Sequence, residues 1–137
     1  MAYLFHQDEL PKLVSVTPGR ERIFFASKEL ADTDAMLAGI IRYKKGISSP
    51  LHFHKNCEHF YFFLEGAGEV ETEEGTTTIS PGTLVFIPAE DKHRLRASAD
   101  STHFECQVPN LFKTTILEGT DDDLRWEKVD GKIWVQS

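Results

Sequence analysis

Five turn signals cut this chain into strand-length pieces: Lys45-Gly46, Glu65-Gly66, Glu74-Gly75, Pro81-Gly82 and Asp130-Gly131. Between and around them lie short runs rich in β-branched and aromatic residues, at 22–25, 36–43, 60–64 and 83–87. Val, Ile, Phe and Tyr fit a pleated, half-buried surface, whereas Gly and Pro punctuate it. Strands this short, joined by turns this tight, build antiparallel sandwiches or barrels rather than βαβ units. No stretch holds a helical period beyond one turn near 27–34. The expected fold is all-β. At the C-terminal end, residues 126–135 read as a hairpin turning on Asp130-Gly131, with Trp126 and Trp134 packing on the body.

Parity along 59–64 carries more than the strand itself. If His59 points inward, so do Tyr61 and Phe63, because strand side chains alternate. Phe60, Phe62 and Leu64 then form a second apolar face. Either the terminal arms or a second subunit must cover it, which makes a homodimer an expectation.

Composition narrows the function classes. The net charge of −7 and the lack of a basic stripe disfavour nucleic acid. No apolar run is long enough to span a bilayer, and the N-terminus has no leader pattern, so no membrane role and a cytoplasmic location are expected. The length of 137 residues suits one domain. Cys57 and Cys106 are too few for a disulfide framework and read as free thiols. Asp121, Asp122 and Asp123 read as a solvated acidic loop.

The chemistry concentrates in one place. His52, His54, Glu58 and His59 fall within eight residues, and His93 follows about thirty residues later. Neutral imidazole is the commonest metal ligand, and an H-x-H pair on a strand puts both rings on one face. A metal site inside a β-structure is the direct reading.

These residues match the two motifs of a known family. The chain resembles a cupin, a small double-stranded β-helix (jelly-roll) barrel. The first cupin motif, G-x5-H-x-H-x(3–4)-E-x6-G, is met by Gly46, His52, His54 and Gly66, over residues 46–66. The second, G-x5-P-x-G-x2-H-x3-N, is met by Gly82, Pro88 and His93, over 82–97. Glu90 replaces its inner Gly and Ala97 its Asn. On this resemblance residues 1–45 supply N-terminal strands, and 124–137 a C-terminal hairpin, as arms.

One departure decides the donor set. Counting back from Gly66 puts His59 where cupins usually carry a glutamate. Counting forward from His54 admits either Glu58 or His59. We favour His59, because the Gly66 turn sets the register and a one-residue slip would turn Tyr61 and Phe63 outward. The resemblance then implies His52, His54, His59 and His93 as ligands, as in four-histidine cupins, with Glu58 the alternative. Four neutral imidazoles leave a divalent ion near +2, where three His and a carboxylate leave about +1. That favours anionic substrates. Imidazole suits Fe, Mn, Ni, Cu or Zn alike.

What the resemblance implies most often is oxygen chemistry, a dioxygenase reaction on a small chelating anion. Tyr61, on the His59 face, is the candidate catalytic contact. A redox-neutral isomerase, lyase or decarboxylase is the alternative, and a non-catalytic small-ligand binder the third reading. Arg42 is either an anion clamp or an exposed strand-end residue, and Gln107 is a candidate cavity donor. His6 is expected in solvent, and Arg94 and Arg96 away from the metal. Because imidazoles must be deprotonated to bind, metal retention is expected to fall below about pH 6.5.

Overall fold

Strands account for nearly all the regular structure. In the computed structural model the described residues are 2–110, 113–128 and the backbone of 133–135. The strands are β1 (Lys12–Ser15), β2 (Arg20–Ala26), β3 (Leu37–Tyr43), β4 (Leu51–Lys55), β5 (Glu58–Glu65), β6 (Gly68–Thr72) and β7 (Gly75–Ile79). They continue with β8 (Leu84–Ile87), β9 (Arg94–Ala97), β10 (Ser101–Val108), β11 (Lys113–Glu118), β12 (Arg125–Lys128) and β13 (Ile133–Val135). The single helical turn expected near 27–34 is α1 (Lys28–Ala31). Ser27 Oγ caps it by accepting from the Leu30 amide, and Asp32 ends it in the left-handed conformation.

All strand pairings are antiparallel. One sheet runs in the order β13-β12-β1-β2-β3-β10-β5-β8. The smaller sheets β11-β4 and β7-β6-β9 complete the structure, and a bridge between His52 and His93 links β4 to the start of β9. This is the all-β, jelly-roll architecture expected. The segments foreseen as arms extend the large sheet: β1, β2 and β3 lie inside it, and β12 pairs with β1. Trp126 is buried as expected. The Asp130-Gly131 turn and the Trp134 side chain lie outside the described residues.

Register is set at the β5–β6 turn. Gly66 has φ +91°, and a Cβ there would come 2.3 Å from the Asp100 carbonyl oxygen. Only glycine fits that approach, so the turn cannot slide. From it, β5 and β10 pair with Gln107 opposite His59, Glu105 opposite Tyr61 and His103 opposite Phe63. These six side chains are all buried. The barrel interior therefore divides. One half is an apolar plug of Leu13, Ile41, Phe63, Val70, Ile79, Leu95 and Trp126 with their neighbours. Each such side chain contributes roughly 1.5–3 kcal/mol by leaving water. The other half is polar.

Two open alternatives narrow. Arg42 does not enter the barrel as an anion clamp and is the outward strand-end residue instead. Its inward neighbours in sequence are Ile41 and Tyr43, and its Nη2 donates to Gln7 Oε1 at 3.4 Å on the outer side. Among the described residues, the arms leave the outer face of β5 partly open. Phe62 and Leu64 remain 37% and 44% exposed.

Candidate metal centre

Strand β4 points His52 and His54 inward as an i, i+2 pair, both buried. His93 joins them through reciprocal backbone bonds with His52: His52 N donates to His93 O at 3.1 Å, and His93 N to His52 O at 2.9 Å. Residues so paired stand side by side, and the two rings lie 4.2 Å apart between centroids. The ligand atoms of His52, His54 and His93 all lie within 4.8 Å of one another.

The outer nitrogens explain why the rings face one point. His52 Nδ1 is 2.6 Å from the Pro50 carbonyl oxygen, and His93 Nδ1 is 2.9 Å from that of Asp91. A carbonyl only accepts, so Nδ1 carries the proton in both and Nε2 presents its lone pair inward. His54 Nδ1 meets Thr114 Oγ1 of β11 at 2.8 Å. Metal-ligating histidines are held in this way from behind. The His93 Nε2 is fully buried with no hydrogen-bond partner among the described residues. A buried acceptor left open is costly unless something fills it, and a cation at this point fits. The three imidazoles are therefore placed to hold a metal ion.

His59, on β5, stands beside them. Its ring centroid is 4.9 Å from that of His54 and 4.8 Å from that of His93. Its Nε2 is 3.1 Å from the Tyr61 hydroxyl, and its Nδ1 is buried without a partner among the described residues. Glu58 points to the opposite face and is exposed. Cys57 is buried next to the cluster in sequence but is not among its ligand atoms, and burial pushes its thiol up to about 11.

Burial also governs the imidazoles. It pushes His54 and His59 down to about 3, and lowers His52 and His93 as well. All four are thus neutral, the form that binds metal. Burial raises the Tyr61 phenol well above its ordinary value, so it keeps its proton.

Beyond the histidines lies a buried ion pair. Arg22 on β2 donates from Nη2 to Glu105 Oε1 at 2.8 Å, with the two residues 2% and 4% exposed. Burial alone would raise the Glu105 carboxyl. The Arg22 guanidinium, with His103 and His59 nearby, outweighs it and holds the carboxyl well below the usual range. Gln107 is buried with its Oε1 unpartnered among the described residues. His52, His54, Tyr61, Glu105 and Gln107 share a cavity of about 30 Å³, room for one water-sized group. Leu124 and Trp126 close its other side, and Arg20 reaches across to the Asp123 carbonyl.

Of the residues singled out in the sequence, the structure brings His52, His54, His59 and His93 together, with Tyr61 and Gln107 beside them. His6, Arg94 and Arg96 lie outside the site as expected. The sequence reading missed Arg22, whose inward parity with Arg20 on β2 was the available signal.

The two motifs, the fold and the histidine cluster point one way, and the cupin-domain family profile matches residues 39–106. The chain belongs to the cupin superfamily. Among solved cupin structures it resembles a sugar phosphate isomerase from Silicibacter pomeroyi (TM-score 0.73, 15% identity), covering 98% of this chain and 93% of that one. It also resembles salicylate 1,2-dioxygenase from Pseudaminobacter salicylatoxidans (TM-score 0.69, 19% identity), covering 78% of this chain and 32% of that one. L-ectoine synthase from Hahella chejuensis (strain KCTC 2396) is 39% identical over 56 residues. That match covers 39% of this chain and 42% of the synthase. The structural likenesses establish the fold and leave the activity of this cupin to its own site. Among the described residues, no helix is long and apolar enough to cross a membrane.

Proposed function

We propose that this cupin is a metal-dependent enzyme acting on a small anionic organic substrate. His52, His54 and His93 form the core of the site, and His59 supplies the fourth ligand. The observation that carries this reading is the convergence of three neutral, back-held imidazoles on one point, with the His93 Nε2 left open there. A divalent Fe, Mn, Ni, Cu or Zn ion bound there would act as a Lewis acid on a substrate oxygen. No ligand brings negative charge, and Arg22 and Glu105 cancel each other. The site therefore selects substrates that bring their own charge, such as a carboxylate or enolate.

Tyr61 is the catalytic residue in this reading. Its hydroxyl lines the cavity and stays protonated, so it donates to a substrate oxygen. A fixed proton donor beside the ion serves redox-neutral chemistry, namely isomerisation, elimination or decarboxylation of a hydroxy or keto acid. The oxygenase reading draws on a different observation. A donor set without a carboxylate favours the divalent state of a redox metal and a deprotonated chelating substrate.

One experiment separates these. Purified protein is loaded with Fe(II) or Mn(II) and offered sugar acids, keto acids and phenolic acids, under air and under nitrogen. Turnover that is equal in both supports redox-neutral chemistry. Turnover that needs oxygen and consumes it stoichiometrically supports the oxygenase. Saturable binding with no turnover in either overturns the enzyme reading and leaves a ligand binder.

A further inference from the structure

Strand β2 sends two arginines into the barrel. Arg20 and Arg22 share a face by the strand period. Both are buried, and both line the cavity with His52, His54 and Tyr61. Arg22 has its carboxylate in Glu105 at 2.8 Å. Arg20 is only 8% exposed, yet no carboxylate pairs with it among the described residues. Asp123 is in the cavity wall too, but its Oδ2 is turned back and accepts from the Thr120 amide at 2.9 Å. Arg20 Nη2 donates to the Asp123 main-chain carbonyl instead. Its guanidinium lies 5.0 Å from the Trp126 ring and 5.8 Å from that of Tyr43. A guanidinium carries five N–H donors in a planar fork, and this one has met a single neutral oxygen. The cavity thus sets two guanidinium charges against one ionised carboxylate, Glu105. Holding an uncompensated charge out of water is costly, so an excess of one positive charge calls for an anion.

We propose that Arg20 anchors a carboxylate of the substrate, separate from the oxygens that meet the metal. A carboxylate matches the fork with two parallel hydrogen bonds, and its single charge matches the single excess. A phosphate ester, near two negative charges at neutral pH, exceeds it. The charge of Arg20 also reaches the reacting side of the cavity. Burial raises the Tyr61 phenol, and the charges of Arg22 and Arg20 both pull against that rise. The cavity of about 30 Å³ has room for one water-sized group, and Asp123 and Leu124 are part of its wall. An organic acid therefore enters only as the turn Asp121–Leu124 draws back. The bond broken is the one from Arg20 to the Asp123 carbonyl, and the incoming carboxylate replaces that neutral oxygen with a charged pair.

The substrate class is accordingly a diacid, or a keto or hydroxy acid with a carboxylate remote from its metal-binding oxygens. The metal-bound end of such a substrate rests on the function proposed above. The carboxylate end stands without it.

The test is isothermal titration of the metal-free full chain with succinate, with its neutral isostere succinamide and with inorganic phosphate. Wild type is expected to bind succinate in preference to the other two. Arg20→Met is expected to weaken succinate about 10- to 100-fold. Arg20→Lys keeps the charge and loses the fork, so it is expected to weaken succinate several-fold and to decide the matter if Arg20→Met does not fold by circular dichroism. No succinate binding by wild type, equal binding of succinamide, affinity unchanged in the folded variants, or tighter phosphate binding through Arg20 overturns the anchor. The same titration on Mn(II)-loaded protein separates the two readings. Succinate bound more tightly than in the metal-free form supports both. Arg20-dependent binding that Mn(II) leaves unchanged keeps the anchor and overturns the metal-bound end.

Discussion

Removing one partner of the Arg22–Glu105 pair tests whether the barrel's polar half is a charge unit. Arg22→Met leaves a carboxylate 4% exposed, facing the His103 Nε2 at 3.9 Å, outside hydrogen-bond range. Breaking a buried pair from one side costs about 3–5 kcal/mol, because an uncompensated charge stays behind. Glu105→Met should cost a similar amount. Arg22→Met should be the dearer of the two, since the guanidinium also lies 4.5 Å from the Phe24 ring and 5.3 Å from that of Trp126. The double variant replaces the pair by apolar groups of similar volume and should return to within about 1–2 kcal/mol of wild type. For a chain this long, each kcal/mol moves Tm by roughly 3–5 °C, so the single variants should melt about 10–20 °C lower. The assay is urea and thermal unfolding of the metal-free protein as a double-mutant cycle.

The pH dependence supplies a second check. In wild type the Glu105 pKa is held below its unfolded value. Its stabilisation is therefore complete above about pH 4.3 and is lost as pH falls through the folded value. In Arg22→Met the folded value should lie above the unfolded one. The penalty is then largest at neutral pH and shrinks as acid protonates the carboxyl. A single-variant cost below about 1 kcal/mol, or a double variant no more stable than the worse single, would refute the reasoning.

Other outcomes follow from the same geometry. His52→Ala and His93→Ala should lose metal by orders of magnitude, measured by elemental analysis after dialysis, and His59→Ala should lose far more than Glu58→Ala. A loss on Glu58→Ala would mean that β5 slips by one residue. Tyr61→Phe should keep its metal while turnover falls about 100-fold. The folded imidazole pKa values lie below their unfolded value of about 6.5. The unfolded chain therefore binds more protons below that pH, and metal-free Tm should fall as pH drops from about 6.5 toward 3. The slope is up to about 1.4 kcal/mol per pH unit for each imidazole. Metal should accordingly stay bound below pH 6.5, contrary to what unperturbed histidines imply. Release near 6.5 from a still-folded protein would overturn this.

Why some of the site was legible in the sequence and some was not comes down to the range of the interactions. His52 and His54 share a face by the strand period alone, and His93 lies at motif spacing. That His59 and not Glu58 faces inward was decidable because Gly66 pins the turn: with the Asp100 carbonyl 2.3 Å from any Cβ, the register has no freedom. Arg42 stayed open between clamp and strand-end residue because β3 is apolar on both faces, so parity could not say which face is inside. Arg22 shares inward parity with Arg20 on β2, but its partner stands 83 residues away, so nothing local says what it pairs with. The short strands β6, β7, β9 and β11 escaped as well. β7 reads Gly75-Thr76-Thr77-Thr78-Ile79 with only Ile79 buried, so it lacks the apolar run that marks a strand.

The buried polar side of β10 and the histidine at position 59 belong together. A cupin with glutamate among its ligands neutralises part of the ion's charge at first contact. Here a carboxylate is still inside the barrel, one strand over, near enough to act electrostatically on all four imidazoles. It is committed to Arg22 instead. The pair keeps Glu105 ionised in a dry interior, yet cancels the field that carboxylate would present to the ion. Arg22→Met should therefore do two opposite things. It should lower the stability of the metal-free protein, as worked out above, and it should raise affinity for a divalent ion, because the freed carboxylate would face the imidazoles uncompensated. Isothermal titration of both proteins with Mn(II) measures this. A weaker ion affinity in a folded Arg22→Met protein would show that the guanidinium supports the site by position rather than by cancelling charge.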